Sequence, residues 1–224
     1  MEGTVAAVSR SAQQDETAHR TVRIRMTGTQ RRQQLIEIGR ALFAERGYEA
    51  ASIEEIAQRA NVSKPVVYEH FGGKEGLYAV VVDREMSRLH EMVMSSLAQG
   101  RSRIRLERVA LALLTYVEDH TDGFRILVRD SPVAASDGTY SSLLNEAINQ
   151  VSHLLANDFS RRGFDPELAT MYAQALVGMV STTATWWLDV RTPPKEVVAA
   201  HLVNLSWNGL TNLEAEPELR DESN

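Results

Sequence analysis

From about Gln30 to about residue 213 the apolar residues recur at helical spacing, and no two-residue alternation of comparable strength marks a strand. A chain patterned this way must bury its stripes helix against helix, so the predicted class is all-α. The first stripe, Leu35, Ile38, Leu42 and Phe43, ends at Gly47, a residue suited to a left-handed C-terminal cap. Ser52 with Glu55 three positions on is a capping-box pattern, in which each side chain would satisfy an orphan amide at the other's position. It announces a short helix whose inner face is Ile53, Ile56, Ala57 and Ala60. Asn61 and Val62 supply a turn. Ser63 then caps a third helix that opens with Lys64 and Pro65, where proline's missing donor is not needed.

Gly72 and Gly73 end that helix, and an amphipathic segment follows from Lys74 to about Gln99, roughly 39 Å at helical rise. Further helices are predicted near 102–120, 124–130, 140–162, 166–191 and 195–213. Their boundaries are Asp122-Gly123, Pro132, Gly163 with Asp165-Pro166, and Pro193-Pro194. Residues 1–28 show neither period and mix Gly, Ser, Thr and Gln with scattered Arg, which predicts a disordered basic arm. The predicted organisation is this arm, a three-helix head over 29–74, a larger helical body over 75–213 and an acidic tail over 214–224.

Composition narrows the chemistry. The chain has no cysteine among 224 residues, which excludes disulfides, thiolate catalysis, Cys-ligated zinc and iron–sulfur sites. The six histidines form no His-x-x-x-His or His-Glu-x-x-His pattern, and no Gly-rich phosphate loop is present. The expectation is a protein that is not an enzyme, with no catalytic residues, no metal and no cofactor. No apolar run approaches the ~20 residues of a membrane span and no signal pattern opens the chain, so a cytoplasmic, nucleoid-associated protein with no membrane partner is expected. The net charge is −6, but it is unevenly spread. Residues 20–74 hold ten Lys or Arg against six acids, whereas residues 91–224 hold eleven basic and eighteen acidic groups. Head and body therefore face different partners.

The head helices at about 30–46, 53–60 and 64–71 have the lengths and tight turn of a helix-turn-helix, whose last helix enters the DNA major groove. With Val62, Val67 and Phe71 inward, the opposite face presents Lys64, Pro65, Val66, Tyr68, Glu69 and His70. Lys64 and Ser63 stand at a helix N-terminus, where backbone amides already favour a phosphate. Tyr68 and His70 can donate to phosphate oxygens, and Lys74 opens the next helix. The groove face offers no Arg, Asn or Gln for bidentate base reading. Apolar contact with thymine methyls, Glu69 accepting from a cytosine amino group, DNA shape, and arginines of the 1–28 arm in a minor groove are the remaining sources of specificity.

The run Ser52-Ile53-Glu54-Glu55-Ile56-Ala57-Gln58-Arg59-Ala60-Asn61-Val62-Ser63-Lys64-Pro65-Val66-Val67-Tyr68-Glu69-His70-Phe71, followed by Gly72-Gly73-Lys74-Glu75-Gly76-Leu77-Tyr78, resembles the DNA-binding motif of the TetR family of transcriptional regulators. Arg32, Ile36, Ala41, Phe43, Gly47 and Tyr48 extend the resemblance. It implies a homodimer on double-stranded operator DNA, with a helix-turn-helix head and a ligand-binding, dimerising body. It places phosphate contacts on Ser52, Lys64, Tyr68, His70 and Lys74, and groove-facing positions on Pro65 and Val66. The expected function is repression relieved by a small molecule. Looser similarity of Gly123-Phe124-Arg125, Leu176-Val177-Gly178-Met179 and Trp207-Asn208-Gly209-Leu210 to actinobacterial regulators of fatty-acid synthesis in that family implies an acyl-CoA effector and activation as the alternative. A helical interaction adaptor without DNA binding is the alternative of another class.

For the body, Tyr116, Phe124, Leu127, Ile148, Val151, Leu155, Tyr172, Met171, Met179, Trp186 and Trp187 are the predicted lining of an apolar effector pocket. Arg125, Arg129 or His120 is expected to meet an acidic head group on an amphipathic effector. Ala169, Ala173, Leu176, Val180 and Thr183, with Val198, Leu202, Leu205 and Leu210, are the predicted dimer face.

Overall fold

The computed structural model describes residues 26–97, 102–129, 140–215 and 217, and among them every regular element is helical. The predicted arm and most of the predicted tail lie outside these residues. Helix α1 (Gly28–Ala50) starts two residues earlier than the apolar pattern reveals, because Thr27 and Gln30 form a reciprocal capping box: Thr27 Oγ1 accepts from the Gln30 amide at 3.2 Å and Gln30 Oε1 from the Thr27 amide at 2.9 Å. Gly47, at φ 77°, interrupts α1 where the cap was predicted.

Helices α2 (Ile53–Arg59) and α3 (Lys64–Phe71) follow. Ser52 accepts from the Glu55 amide at 3.2 Å, but the return half of the predicted box is not made. The Glu55 carboxylate instead meets Arg59 at 2.8 Å and Arg46 at 3.1 Å, since two guanidiniums hold a carboxylate better than one amide does. Asn61 takes the turn between α2 and α3 at φ 52°, a left-handed conformation that a short polar side chain tolerates. Val67 is fully buried, as predicted, while Val62 and Phe71 are half-buried.

Helix α4 (Lys74–Leu97) leaves the head and runs the length of the body. Gly76 allows its departure: a Cβ there would lie 2.0 Å from the Phe71 carbonyl oxygen. Helices α5 (Ser102–Asp119) and α6 (Thr121–Val128) return toward the head. Asp122-Gly123, predicted to break the chain, lies inside α6. The physical reason is space, not flexibility, because a Cβ on Gly123 would sit 2.2 Å from Glu85 Oε2. Helices α7 (Tyr140–Arg162), α8 (Ala169–Val190, entered through a 3-10 turn at Pro166–Leu168) and α9 (Lys195–Thr211) complete the described body. One hydrophobic cluster runs from Leu35, Phe43 and Ile56 in the head to Leu114, Phe124, Trp187 and Val203 in the body. Head and body thus share a core.

The junction between them is polar. Glu85 of α4 is 3% exposed, accepts from the Tyr116 hydroxyl of α5 at 2.7 Å and pairs with Arg88 at 3.0 Å. Burial, reinforced by the Glu85 hydrogen bond, pushes the Tyr116 phenol far above its ordinary value, so the hydroxyl stays a donor at every physiological pH. Around this knot Arg129 Nη1 donates to the Ala44 carbonyl of α1 at 2.8 Å, and Arg84 Nη1 reaches Gln33 at 2.6 Å. At the other end of α8, Arg191 donates to the Val117 carbonyl and to Thr121 Oγ1, both at 2.8 Å.

Two substitutions test these contacts. Gly76→Ala is expected to lower stability by about 2–3 kcal/mol, because the backbone oxygen it meets cannot rotate away; chemical denaturation measures it. Tyr116→Phe is expected to cost about 1–3 kcal/mol, the penalty for leaving a buried carboxylate short of a donor, with little change in packing. An unaltered denaturation midpoint in Tyr116→Phe would mean that the knot is energetically idle.

Candidate functional site

The third head helix carries the face predicted to meet nucleic acid. Lys64, Pro65, Tyr68 and Glu69 are exposed on α3, and Tyr68 keeps 53% of its surface in solvent. Ser63 is the N-cap by backbone conformation but makes no side-chain cap bond, which leaves its hydroxyl available at the helix N-terminus. Ser52 uses its oxygen as a cap acceptor and retains its proton for donation. Val66, predicted to face the groove, is half-buried against the head core, so the outward apolar contact falls to Pro65. His70 is half-buried. Its carbonyl accepts from Arg32 Nη1 at 2.6 Å, and the Arg32 guanidinium lies 4.4 Å over the Phe71 ring. Arg32 thereby staples α1 to the end of α3, a role that its place in a run of charged residues did not disclose.

Both head lysines are engaged within the chain. Lys64 Nζ donates to Glu54 of α2 across exposed surface, and this contact holds the Glu54 carboxyl below the usual carboxylate range. Such a pair is weak enough, at about 0–1 kcal/mol, for a phosphate to displace it. Lys74 differs. Its ammonium donates to the carbonyls of Tyr48 at 2.9 Å, Ala51 at 3.2 Å and Glu49 at 3.3 Å, and sits 4.3 Å over the Tyr48 ring. Three donors meet three acceptors, so Lys74 closes the end of α1 onto the start of α4, and a phosphate contact there would have to replace one of these bonds.

The body holds a cavity of about 890 Å³ between α4, α5, α7, α8 and α9. Leu89, Val93 and Leu97 of α4, Leu106, Val109 and Leu113 of α5, and Leu144, Val151, Leu154 and Leu155 of α7 make most of its wall. Leu176, Val177 and Val180 of α8 and Trp207 and Leu210 of α9 close it. Val151 and Leu155 are where the sequence predicted them. The other predicted lining residues do not reach this cavity. Tyr116 and Phe124 are fully buried in the junction, where the Tyr116 hydroxyl serves Glu85. Leu127 and Ile148 are packed in the interior, Met179 is half-buried against the core, and Trp186 is 50% exposed on the outer face of α8.

The predicted head-group residues also point elsewhere: Arg129 to the Ala44 carbonyl, Arg125 to Asp189 at 3.8 Å, and His120 against Tyr116 at 5.2 Å. The charged residues that do line the cavity are Arg105, Asp158, Arg161 and Arg162. On sequence each reads as ordinary helix surface, because no local pattern separates a charge facing water from one facing a cleft.

The predicted dimer face needs a similar correction. Ala169, Ala173, Val180, Val198 and Leu202 are buried within the chain. The outward stripe of α8 is instead Met171, Ala175, Thr182, Trp186 and Val190, joined by Leu205 of α9, which is 66% exposed. Sequence periodicity did not separate the inward from the outward face of α8, since both carry apolar residues, whereas Leu205, also predicted for the dimer face, is exposed.

Comparison with known proteins accords with these arrangements. The family described as "Bacterial regulatory proteins, tetR family" matches residues 35–81, and "Tetracyclin repressor-like, C-terminal domain" matches residues 103–209. The HTH-type transcriptional activator FasR of Mycolicibacterium smegmatis is 32% identical over 196 residues, covering 84% of this chain and 87% of that one. The HTH-type transcriptional repressor AcnR of Corynebacterium glutamicum is 34% identical over 65 residues, 29% of this chain and 35% of its own. A TetR-like transcriptional regulator from Rhodococcus sp. RHA1 superimposes with a TM-score of 0.71 at 27% identity, covering 84% of this chain and all of that one. With helix-turn-helix head, helical body and both family matches in register, the chain belongs to the TetR family of DNA-binding transcriptional regulators.

Proposed function

We propose that this chain acts as a two-fold dimer on an inverted-repeat operator, and that an apolar or amphipathic effector in the body cavity changes its hold on DNA. The observation that carries this reading is the sharing of α4. Its first turn is clasped to the head by Lys74, and its later turns, Leu89, Val93 and Leu97, are cavity wall. A ligand that binds two arrangements of α4 unequally must bias the separation of the two α3 helices, and a tenfold change in DNA affinity needs only about 1.4 kcal/mol of such difference. Burying two methylenes at ~0.8 kcal/mol each supplies that.

The cavity volume of about 890 Å³ falls within the ~300–1,000 Å³ span of small-molecule sites. Its predominantly leucine and valine wall suits an acyl chain, acyl-CoA among the candidates. Lys64, Ser63, Ser52, Tyr68 and His70 grip phosphates, Pro65 and Val66 approach the groove, and Lys74 holds the frame. Operator occupancy blocks polymerase, so repression is the first reading. Activation is the second, favoured by the activator that matches 84% of the chain. A promoter–reporter fusion with and without the regulator separates them, and mass spectrometry of what co-purifies identifies the effector.

The outward stripe of α8 with Leu205 is the proposed contact between copies. Trp186→Glu combined with Leu205→Asp is expected to give a folded monomer by light scattering that loses inverted-repeat binding; a dimer that persists would move the interface elsewhere. Lys64→Ala is expected to weaken binding to all sequences and to reduce the salt slope by about one counterion. An unaltered slope in gel-shift titrations would remove Lys64 from the phosphate contacts.

A further inference from the structure

Three guanidiniums and one carboxylate line the cavity, and their partners differ. Arg161 meets Asp158 at 3.1 Å. Arg162 lies 3.7 Å from the same carboxylate and donates to the Leu210 and Thr211 carbonyls at 3.0 and 3.2 Å. Arg105 has none of this: its Nε is buried without a hydrogen-bond partner, and it takes part in no ion pair among the described residues. Among the described residues two other arginines have an unpartnered buried nitrogen, but Arg40 still pairs with Glu37 at 3.0 Å and Arg191 donates to three oxygens. Neither of them lines the cavity. A guanidinium cannot shed its proton to escape burial, so the Nε–H of half-buried Arg105, enclosed beside an apolar wall with no acceptor, is a donor that an anion can satisfy.

We propose that Arg105 anchors the anionic end of the effector, a carboxylate or a thioester-linked phosphate group carried on an apolar tail. This rests on the reading of the cavity as the effector site. The helix directions then orient the ligand. Helix α4 starts in the head and ends at Leu97, and Arg105 stands in the first turn of the returning α5, at the far end of the body. Arg162 and the carbonyls at the end of α9 lie at that same end, because α9 begins beside the close of α5, where Lys195 meets Glu118, and runs away from it. The anionic end is therefore held away from the DNA, and the tail points along Leu106, Val109 and Leu113 toward the Glu85–Tyr116 junction.

Isothermal titration of the delipidated full-length protein with palmitate, palmitoyl-coenzyme A and uncharged hexadecanol tests the assignment. Arg105→Gln is expected to weaken at least one of the two anions by ~10–100-fold, the span of a lost charged hydrogen bond, while hexadecanol stays within about twofold. The anion that loses affinity identifies the head group, and Arg105→Lys restores part of the loss. Unchanged affinity for both anions in Arg105→Gln overturns the anchor and leaves the cavity reading standing. An equal loss for all three probes overturns it as well, because a structural defect does not discriminate by charge. Wild-type protein that binds none of the three overturns the anchor and the cavity reading together.

Discussion

A carboxylate buried where α4, α5 and α6 meet sets the geometry of the whole molecule. Glu85 has little water around it, so its oxygens rely on the Tyr116 hydroxyl and the Arg88 guanidinium, and leaving such a buried group short of a donor typically costs about 1–3 kcal/mol. This fixes the rotation of α4 about its own axis. Residues at four-residue intervals then share a face, and Leu89, Val93 and Leu97, spaced from Glu85 in this way, are all cavity wall. The junction and this wall of the cavity are one stripe of one helix.

That stripe joins body to head without a flexible joint. The apolar cluster is continuous from Leu35 to Val203, and α1 is tied to the body by Arg129 on the Ala44 carbonyl and to α4 by Arg84 on Gln33. A displacement of α4 must move these contacts together, because close-packed interiors shift as units and do not deform continuously. Lys74 completes the linkage by capping the carbonyls that end α1.

On the DNA side the resting chain is not a bare cationic surface. Lys64 is occupied by Glu54, and the exchange of that exposed pair for a phosphate is close to balanced in energy. With Pro65 and Glu69 exposed on α3 and no Arg, Asn or Gln beside them, the proposed DNA face offers positioning and shape more than bidentate base contacts.

The sequence by itself determined the class, the element order and the head. Caps, glycines and 3.6-residue stripes are local signals, written within a few residues of where they act, and the Ser52–Phe71 spacing leaves little freedom to a chain that obeys them. It did not determine which apolar face looks inward on α8, nor why Gly123 belongs inside a helix, nor which charges border the cavity. Trp186 and Trp187 are adjacent and chemically identical, yet one is exposed and the other buried. Gly123 is a glycine because a carboxylate 38 residues earlier needs its volume. Arg105 differs from other surface arginines only in what stands opposite it. These choices depend on neighbours brought together by packing across long sequence separations, so only the tertiary structure decided them.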